Sequence, residues 1–235
     1  MIEWKCIDDA LVQSFEIYCR EELDAFRADS IEYIARNKRV NGDKLFEDFG
    51  FYSWKEEEVI NRYYEICENI IEDIECYPVE KSYWQYVSYE DSWNGERTYG
   101  GTRKHEGTDI MSSDNERGVI PIVSMTDGTI RNLGWLRLGG WRIGIVSESG
   151  IYYYYAHLDH YAPNLKVGDT VCAGQLIGYM GDSGYGEEGT TGMFDVHLHL
   201  GIYMYNEDGK EISVNPYPYL RRLNSPNSFI LKNNE

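Results

Sequence analysis

Two histidines separated by one residue, His197 and His199, are the side chains of this sequence best placed to do chemistry. They lie within residues 194–201, where apolar and polar residues alternate as in a half-buried β-strand. Side chains at positions i and i+2 of a strand point to the same face, so the two imidazoles are predicted to emerge side by side. Such a pair can bind a metal ion, act as an acid–base pair, or lie together by chance on a wet surface.

A second segment of the chain supplies a matching ligand set. His105 and Asp109 have the spacing H-x-x-x-D, which alone is a weak signal. Together with His199 they make a plausible zinc set, because a catalytic zinc takes three protein ligands and leaves one position for water. The motifs H-E-x-x-H and G-x-S-x-G and the P-loop lysine motif do not occur, so the sites that these motifs mark are not predicted.

The segments that must position these residues begin near residue 83, where glycines, aromatics and β-branched residues become frequent. Short apolar runs between turn signals predict strands in antiparallel hairpins, as in a β-sandwich or a rolled sheet rather than βαβ units. A glycine-rich loop over residues 181–192 is predicted to be flexible and to form a wall of a substrate groove, and residues 215–220 are predicted to be extended. The predicted strands are residues 119–125, 129–138, 141–147, 151–158, 171–180 and 196–205.

The first part of the chain is predicted to be helical, which makes the fold class α+β. Apolar residues recur at spacings of three and four over residues 7–38, and again from Ser53 to the helix-ending Pro78. The predicted organisation is therefore a helical region at 1–80, a β-rich domain of antiparallel sheets at 81–222 and a tail at 223–235. No chemistry is evident in the helical region, and its role is left open.

Composition narrows the class of protein further. The 235 residues are 42% hydrophobic, and no apolar run is long enough to span a membrane. The net charge of −18 argues against binding to nucleic acid, which needs a basic surface. Five cysteines without a C-x-x-C pair predict neither a disulfide framework nor a structural zinc site, and most are expected to be buried thiols in helices. The N-terminus shows no signal-peptide pattern.

Three motifs around a shared hairpin make residues 83–220 resemble the LytM/lysostaphin-type zinc endopeptidases of bacterial cell walls. The hairpin, residues 167–178, lies between the second and third motifs. The motifs are Arg103-x-His105-x-Gly107-x-Asp109, Tyr155-Ala156-His157-Leu158 and His197-Leu198-His199. Because the three occur in the family's order, we expect a LytM-like fold and one Zn²⁺ per chain.

The resemblance implies roles for the candidate residues. His105, Asp109 and His199 match the zinc ligands, whereas His157 and His197 match two unligated histidines beside the metal-bound water. The resemblance also implies that the substrate is a peptidoglycan peptide, in the stem or the cross-bridge, and that the protein acts outside the cell or in its envelope.

Two further residues have weaker matches. Tyr99 is equally well interpreted as a tyrosine that steadies the oxyanion or as a packing aromatic. His160 matches no motif position and is expected to be exposed. The rival hypotheses are a non-catalytic relative that binds peptidoglycan or activates a hydrolase, and a zinc hydrolase of another peptide or amide.

One departure from the family concerns the residues before His197. Asp195 and Val196 stand where the family commonly has Gly-Pro. If the strand is regular that far, Asp195 faces the same side as His197 and either orients that ring or tunes the groove.

Overall fold

The computed structural model describes residues 69–93, 95–98, 102–205 and 211–223, and a compact unit extends from Glu72 to Ser225. The predicted helix at 7–38, most of the second helix, Tyr99 and the residues after 223 lie outside the described residues. The predicted domain division at residues 80 and 222 stays a prediction. In the described part of the chain, no helix has the length and apolar character needed to cross a membrane.

Antiparallel strands dominate the described residues, as predicted. Every strand pair is antiparallel, and ten strands join in one sheet. A short 3-10 helix, Lys81–Tyr86, precedes the strands and an α-helix, α1 (Tyr217–Leu223), follows them. The strands are β1 (Val87–Tyr89), β2 (Glu96–Arg97), β3 (Arg103–Lys104), β4 (Thr108–Ser112), β5 (Pro121–Val123), β6 (Gly128–Leu136), β7 (Gly140–Val146), β8 (Tyr152–Tyr161), β9 (Thr170–Val171), β10 (Leu176–Met180), β11 (His197–Tyr205) and β12 (Glu211–Val214).

The sheet is organised around β8 and β11. Its main order is β1-β4-β11-β8-β7-β6-β9, with β12 beside β11 and with β5 joined through β10 to β8. The first half of β8 pairs with β11 and β7, and its last residues pair with β10. The strands β2 and β3 form a separate hairpin.

Alternation along β11 and β8 separates the core from a polar face. Leu198 and Leu200 are fully buried, as are Tyr153 and Tyr155 on the neighbouring strand. The histidines of β11 therefore lie on the opposite face from its leucines, as the sequence predicted. Fully burying side chains of this size contributes about 2 kcal/mol each, so the core face fixes the register of both strands.

Two predicted elements have the wrong bounds. The segment predicted as one strand at 171–180 is two strands, because residues 172–175 form a turn in which the Gln175 amide bonds the Cys172 carbonyl. The predicted second helix ends at residue 73 rather than at Pro78, because the amides of Glu75 and Cys76 bond the Met125 carbonyl instead. Of the five cysteines, two lie among the described residues: Cys76 is half-buried and Cys172 is exposed, so the prediction that most are buried in helices stays a prediction.

The tail predicted to be extended forms α1 instead. The side-chain oxygen of Asn215 accepts a hydrogen bond from the Tyr217 amide at 3.0 Å, as a helix N-cap does. Prolines at 216 and 218 are compatible with a first helical turn, where amide donors have no intrahelical partner.

Candidate metal centre

Three of the predicted site residues meet at one corner of the sheet. His105 Nε2 lies 3.0 Å from Asp109 Oδ1 and 3.1 Å from His199 Nδ1, and those last two atoms are 2.9 Å apart. Among the described residues, His105, Asp109 and His199 form a group of side chains that could hold a metal ion. The pairing of Asp109 with His199 across β4 and β11 builds one side of the triangle.

This triangle fits a small cation. A tetrahedral zinc with donor distances of about 2.0 Å holds its ligands about 3.3 Å apart, close to the spacing seen here. Each of the three atoms presents a lone pair when its group is unprotonated, and lone pairs converging at about 3 Å repel one another unless a cation or proton lies between them. The donor set, two imidazoles and one carboxylate, suits Zn²⁺.

Burial and mutual contacts set the charge of the cluster. Burial would raise the pKa of Asp109, but the contacts of its carboxylate with His105 and His199 outweigh this effect and hold that pKa well below its usual value. Burial lowers the pKa of His199, although the Asp109 carboxylate opposes this effect. The cluster therefore contains an ionised carboxylate and a neutral His199 ring near neutral pH, which are the forms that bind metal.

Gly107 makes room for the His199 ring. A Cβ at this position would lie 2.5 Å from the Leu200 carbonyl oxygen and 2.6 Å from Cε1 of His199. The glycine of the H-x-G-x-D segment is therefore required by the close approach of the chain to β11.

Residues that the sequence analysis missed surround the cluster. The Nδ1 of His105 lies 3.0 Å from both the Ser92 carbonyl and Nη2 of Arg97. Binding of a metal ion at Nε2 requires the tautomer in which Nδ1–H donates to the carbonyl. Arg97 on β2 donates to Asp109 Oδ2 at 2.6 Å, which leaves Oδ1 facing the two histidines. Ser92 and Arg97 both precede His105 in the sequence, and no sequence motif identifies either of them.

His157 faces the cluster from a β-bulge in β8. Against β7, Leu158 pairs with Trp141 and Tyr155 with Ile143, so β8 has one residue more than its partner at this point. The backbone of His157 has a φ of 61°, in the left-handed region that few residues adopt. Its Nδ1–H donates to the Ser183 carbonyl at 2.7 Å, and its ring centroid is 4.7 Å from that of His197 and 6.0 Å from that of His199.

The same kind of contact orients His197. Its Nδ1–H donates to the backbone carbonyl of Asp195 at 2.7 Å, and Nε2 lies 3.8 Å from Asp109 Oδ1. Because β11 begins at His197, the Asp195 side chain does not continue the strand's face: it is exposed and accepts a hydrogen bond from Asn115. The main chain of Asp195, rather than its carboxylate, therefore orients His197.

The two remaining candidates stand apart from the cluster. His160 is exposed, as predicted, and stacks on Tyr179 with ring centroids 4.5 Å apart. Tyr99 lies outside the described residues, so its two interpretations stay open.

The cluster lies in a groove of about 790 Å³, within the range of ligand sites. Aromatic side chains line its walls, and Tyr185 comes from the loop at 181–192 that the sequence analysis predicted to form a wall. The polar lining includes the arginines Arg97, Arg103 and Arg142 together with acidic side chains such as Glu106 and Glu211.

The fold and the cluster together define the class: an antiparallel β-domain of the LytM type with the ligand set of a metallopeptidase. Residues 103–216 match Peptidase family M23. The crystal structure of a LytM protein from Ruminococcus gnavus is 53% identical, covering 76% of this chain and 70% of that one with a TM-score of 0.63. The chain belongs to the M23 family of peptidases, which confirms the resemblance found in the sequence.

Two relatives indicate the chemistry found in this family. The chain is 46% identical over 135 residues to the L-Ala–D-Glu endopeptidase of Bacillus subtilis, covering 57% of this chain and 40% of the relative. It is 35% identical over 119 residues to the glycyl-glycine endopeptidase ALE-1 of Staphylococcus capitis, covering 50% of this chain and 29% of the relative. The chain thus spans less than half the length of both relatives.

Proposed function

We propose that the protein is a zinc-dependent endopeptidase that hydrolyses peptide bonds of bacterial peptidoglycan. The observation that carries this proposal is the convergence of His105 Nε2, Asp109 Oδ1 and His199 Nδ1 at about 3 Å beside two further histidines in a groove. In this proposal His105, Asp109 and His199 hold one Zn²⁺, and His157 and His197 act on the reacting groups.

A bound zinc ion would supply Lewis acidity at this site. Hydrolysis requires that the attacking water lose a proton to a neutral acceptor, and the site has no glutamate placed as in H-E-x-x-H. Because both His157 and His197 donate their Nδ1–H to a backbone carbonyl, the lone pair of each ring is on Nε2. One of these rings accepts the proton and the other stabilises the oxyanion of the tetrahedral intermediate.

Burial keeps the His157 ring neutral. The pKa of His157 is well below its usual value, because burial disfavours the charged ring and because His197 and His199 lie close by. The ring is therefore unprotonated over the whole neutral pH range, as a general base must be.

The substrate class follows from the relatives, which are an L-Ala–D-Glu and a glycyl-glycine endopeptidase. We infer that the substrate is a cell-wall peptide, in the stem or the cross-bridge, and that the protein acts outside the cell or in its envelope.

A digest of purified peptidoglycans with zinc-loaded protein, followed by mass spectrometry of the products, tests this function and identifies the bond. We expect new peptide termini that do not appear when zinc is removed and that return when it is restored. The proposal is wrong if the protein, carrying one zinc per chain, releases no peptide. A protein that neither contains nor takes up zinc would instead support a non-catalytic relative.

A further inference from the structure

Arg142 lies in the groove two strands away from the metal cluster. Cross-strand pairing aligns Asp109 with His199 and His199 with Ala156, and Arg142 on β7 lies opposite the bulge at Ala156 and His157. Neighbouring strands are about 4.8 Å apart, so the main chain at Arg142 is about 10 Å from that at His199. This is the length of about three residues of extended peptide.

One nitrogen atom of the Arg142 guanidinium group, Nη1, is buried and has no hydrogen-bond partner among the described residues. None of the ion pairs within the described ranges involves Arg142. Arg142 as a whole is half-buried, but a buried nitrogen atom without a hydrogen-bond partner costs free energy, so its presence calls for an explanation.

Of the other groove arginines, Arg97 donates to the Asp109 carboxylate. Arg103 also has a buried nitrogen without a partner among the described residues, Nε, but it lies on the separate β2–β3 hairpin and donates through Nη2 to the hydroxyl of Tyr185 at 3.1 Å. Arg142 lies near two tyrosines: burial raises the pKa of Tyr152 and of Tyr154, and the charge of Arg142 partly offsets both effects, whereas the exposed carboxylate of Glu211 adds to them. Neutral hydroxyls do not compensate a guanidinium charge, whereas a planar carboxylate matches its geometry.

Glycines keep this part of the groove open. A Cβ on Gly144 would lie 1.9 Å from the hydroxyl of Tyr152, and one on Gly139 would lie 2.2 Å from that of Tyr154. The two tyrosine rings can therefore lie along the floor between the cluster and β7, which leaves space above them for an extended peptide.

We propose that Arg142 binds a carboxylate of the peptide substrate and so selects peptides with an acidic residue within about three residues of the bond that is cut. This inference rests on the proposed function and narrows it to an acidic peptide rather than one made of glycine alone.

Matched peptides test the inference. One peptide contains an L-Ala–D-Glu bond with a free glutamate carboxylate, its twin has a carboxamide there, and pentaglycine is the neutral reference. For each, kcat and KM are measured with zinc-loaded full-length protein, and Kd is measured by calorimetry with and without zinc. Wild-type protein is expected to prefer the carboxylate peptide about 10- to 100-fold, as expected for a hydrogen-bonded ion pair.

Arg142→Gln is expected to abolish this preference by weakening the carboxylate peptide alone, mainly through KM, and Arg142→Lys to restore part of it. Arg131→Gln, which changes an exposed arginine of the adjacent β6, is the matched control and is expected to keep the preference. Thermal unfolding verifies that each variant is folded. If Arg142→Gln does not fold, Arg142→Lys replaces it in the comparison, and its preference must fall below that of the wild type.

Two results overturn the inference. One is an equal loss for the carboxylate peptide and its carboxamide twin, which would show a structural role for Arg142. The other is a wild-type protein that does not distinguish the twins in Kd or in kcat/KM. Failure of the proposed function is a separate result: no peptide is cut with zinc present, while binding of the twins still reveals whether Arg142 selects a carboxylate.

Discussion

Replacement of His157 by asparagine separates catalysis from metal binding at this site. Asparagine is chosen because it tolerates the left-handed backbone that gives His157 a φ of 61°. Its side-chain NH₂ can also take the place of Nδ1–H, which donates to the Ser183 carbonyl at 2.7 Å. The substitution therefore keeps this hydrogen bond and removes the imidazole ring with its Nε2 lone pair.

The expected loss is in kcat. A positioned general acid or base contributes about 10²- to 10⁴-fold to the rate, and we expect His157→Asn to lose about 100-fold or more. Zinc should remain bound at one per chain, because the three cluster atoms belong to other residues. The assay pairs steady-state hydrolysis of a peptidoglycan peptide with metal analysis of the same sample.

The metal-free variant is also expected to resist acid better than the metal-free wild type. The pKa of His157 is lowered in the folded state, so below its unfolded value of about 6.5 the unfolded chain binds a proton that the folded chain does not. The free energy of unfolding of the metal-free wild type therefore decreases as the pH falls below about 6.5, by up to about 1.4 kcal/mol at about pH 5.5. The His157→Asn variant lacks this titrating group and should not show this decrease. Urea unfolding at about pH 8 and about pH 5.5 measures the difference.

The matched control is His160→Asn. His160 is exposed on the same strand and does not line the groove, so its replacement should leave kcat unchanged. The reasoning is refuted if His157→Asn keeps a wild-type kcat with zinc bound, or if it loses zinc together with activity.

The other predictions concern the ligands, the packing and the buried tyrosines. Asp109→Asn should weaken zinc binding by about 100-fold or more, because a neutral amide replaces the ionised ligand; wild-type affinity in a chelator competition would contradict this. Gly107→Ala should destabilise the fold by about 1–3 kcal/mol and displace the His199 ring, as measured by urea unfolding and zinc content; an unchanged value of either would contradict the packing argument. The pKa of Tyr153 is raised mainly by burial, so stability should fall as the pH rises above about 10, and Tyr153→Phe should reduce that slope by about 1.4 kcal/mol per pH unit. An identical slope in the variant would show that Tyr153 titrates normally.

Strand periodicity predicted much of the fold, because one-sided burial leaves a clear alternation. The four longest strands, β6, β7, β8 and β11, were predicted within about three residues of their observed ends, and the antiparallel arrangement was correct. The strand β4 was missed, since its five residues mix buried and half-buried positions without alternation of apolar and polar types. The meeting of Asp109 with His199 depends on this strand, so the ligand set was inferred from residue type and resemblance rather than from topology.

Departures from regular strand geometry explain what the sequence could not predict about the site. In a regular β8, the alternation of side chains would point His157 in one direction, and the extra residue of the bulge changes that direction. If β11 extended further towards the N-terminus, Asp195 would share a face with His197, but the strand begins only at His197. Neither irregularity has a turn residue such as glycine at the position concerned, so neither leaves a signal in the sequence.

The orientation of the rings has a related cause. His157 and His197 each donate Nδ1–H to a main-chain carbonyl at 2.7 Å, which fixes the lone pair of each ring on Nε2, and Nδ1 of His105 lies 3.0 Å from the carbonyl of Ser92. Any residue type offers the same carbonyl, so the identities of Ser92, Asp195 and Ser183 carry no information about this role. The sequence can therefore reveal which side chains form the site, whereas their tautomers and directions depend on backbone atoms that only the folded chain brings into place.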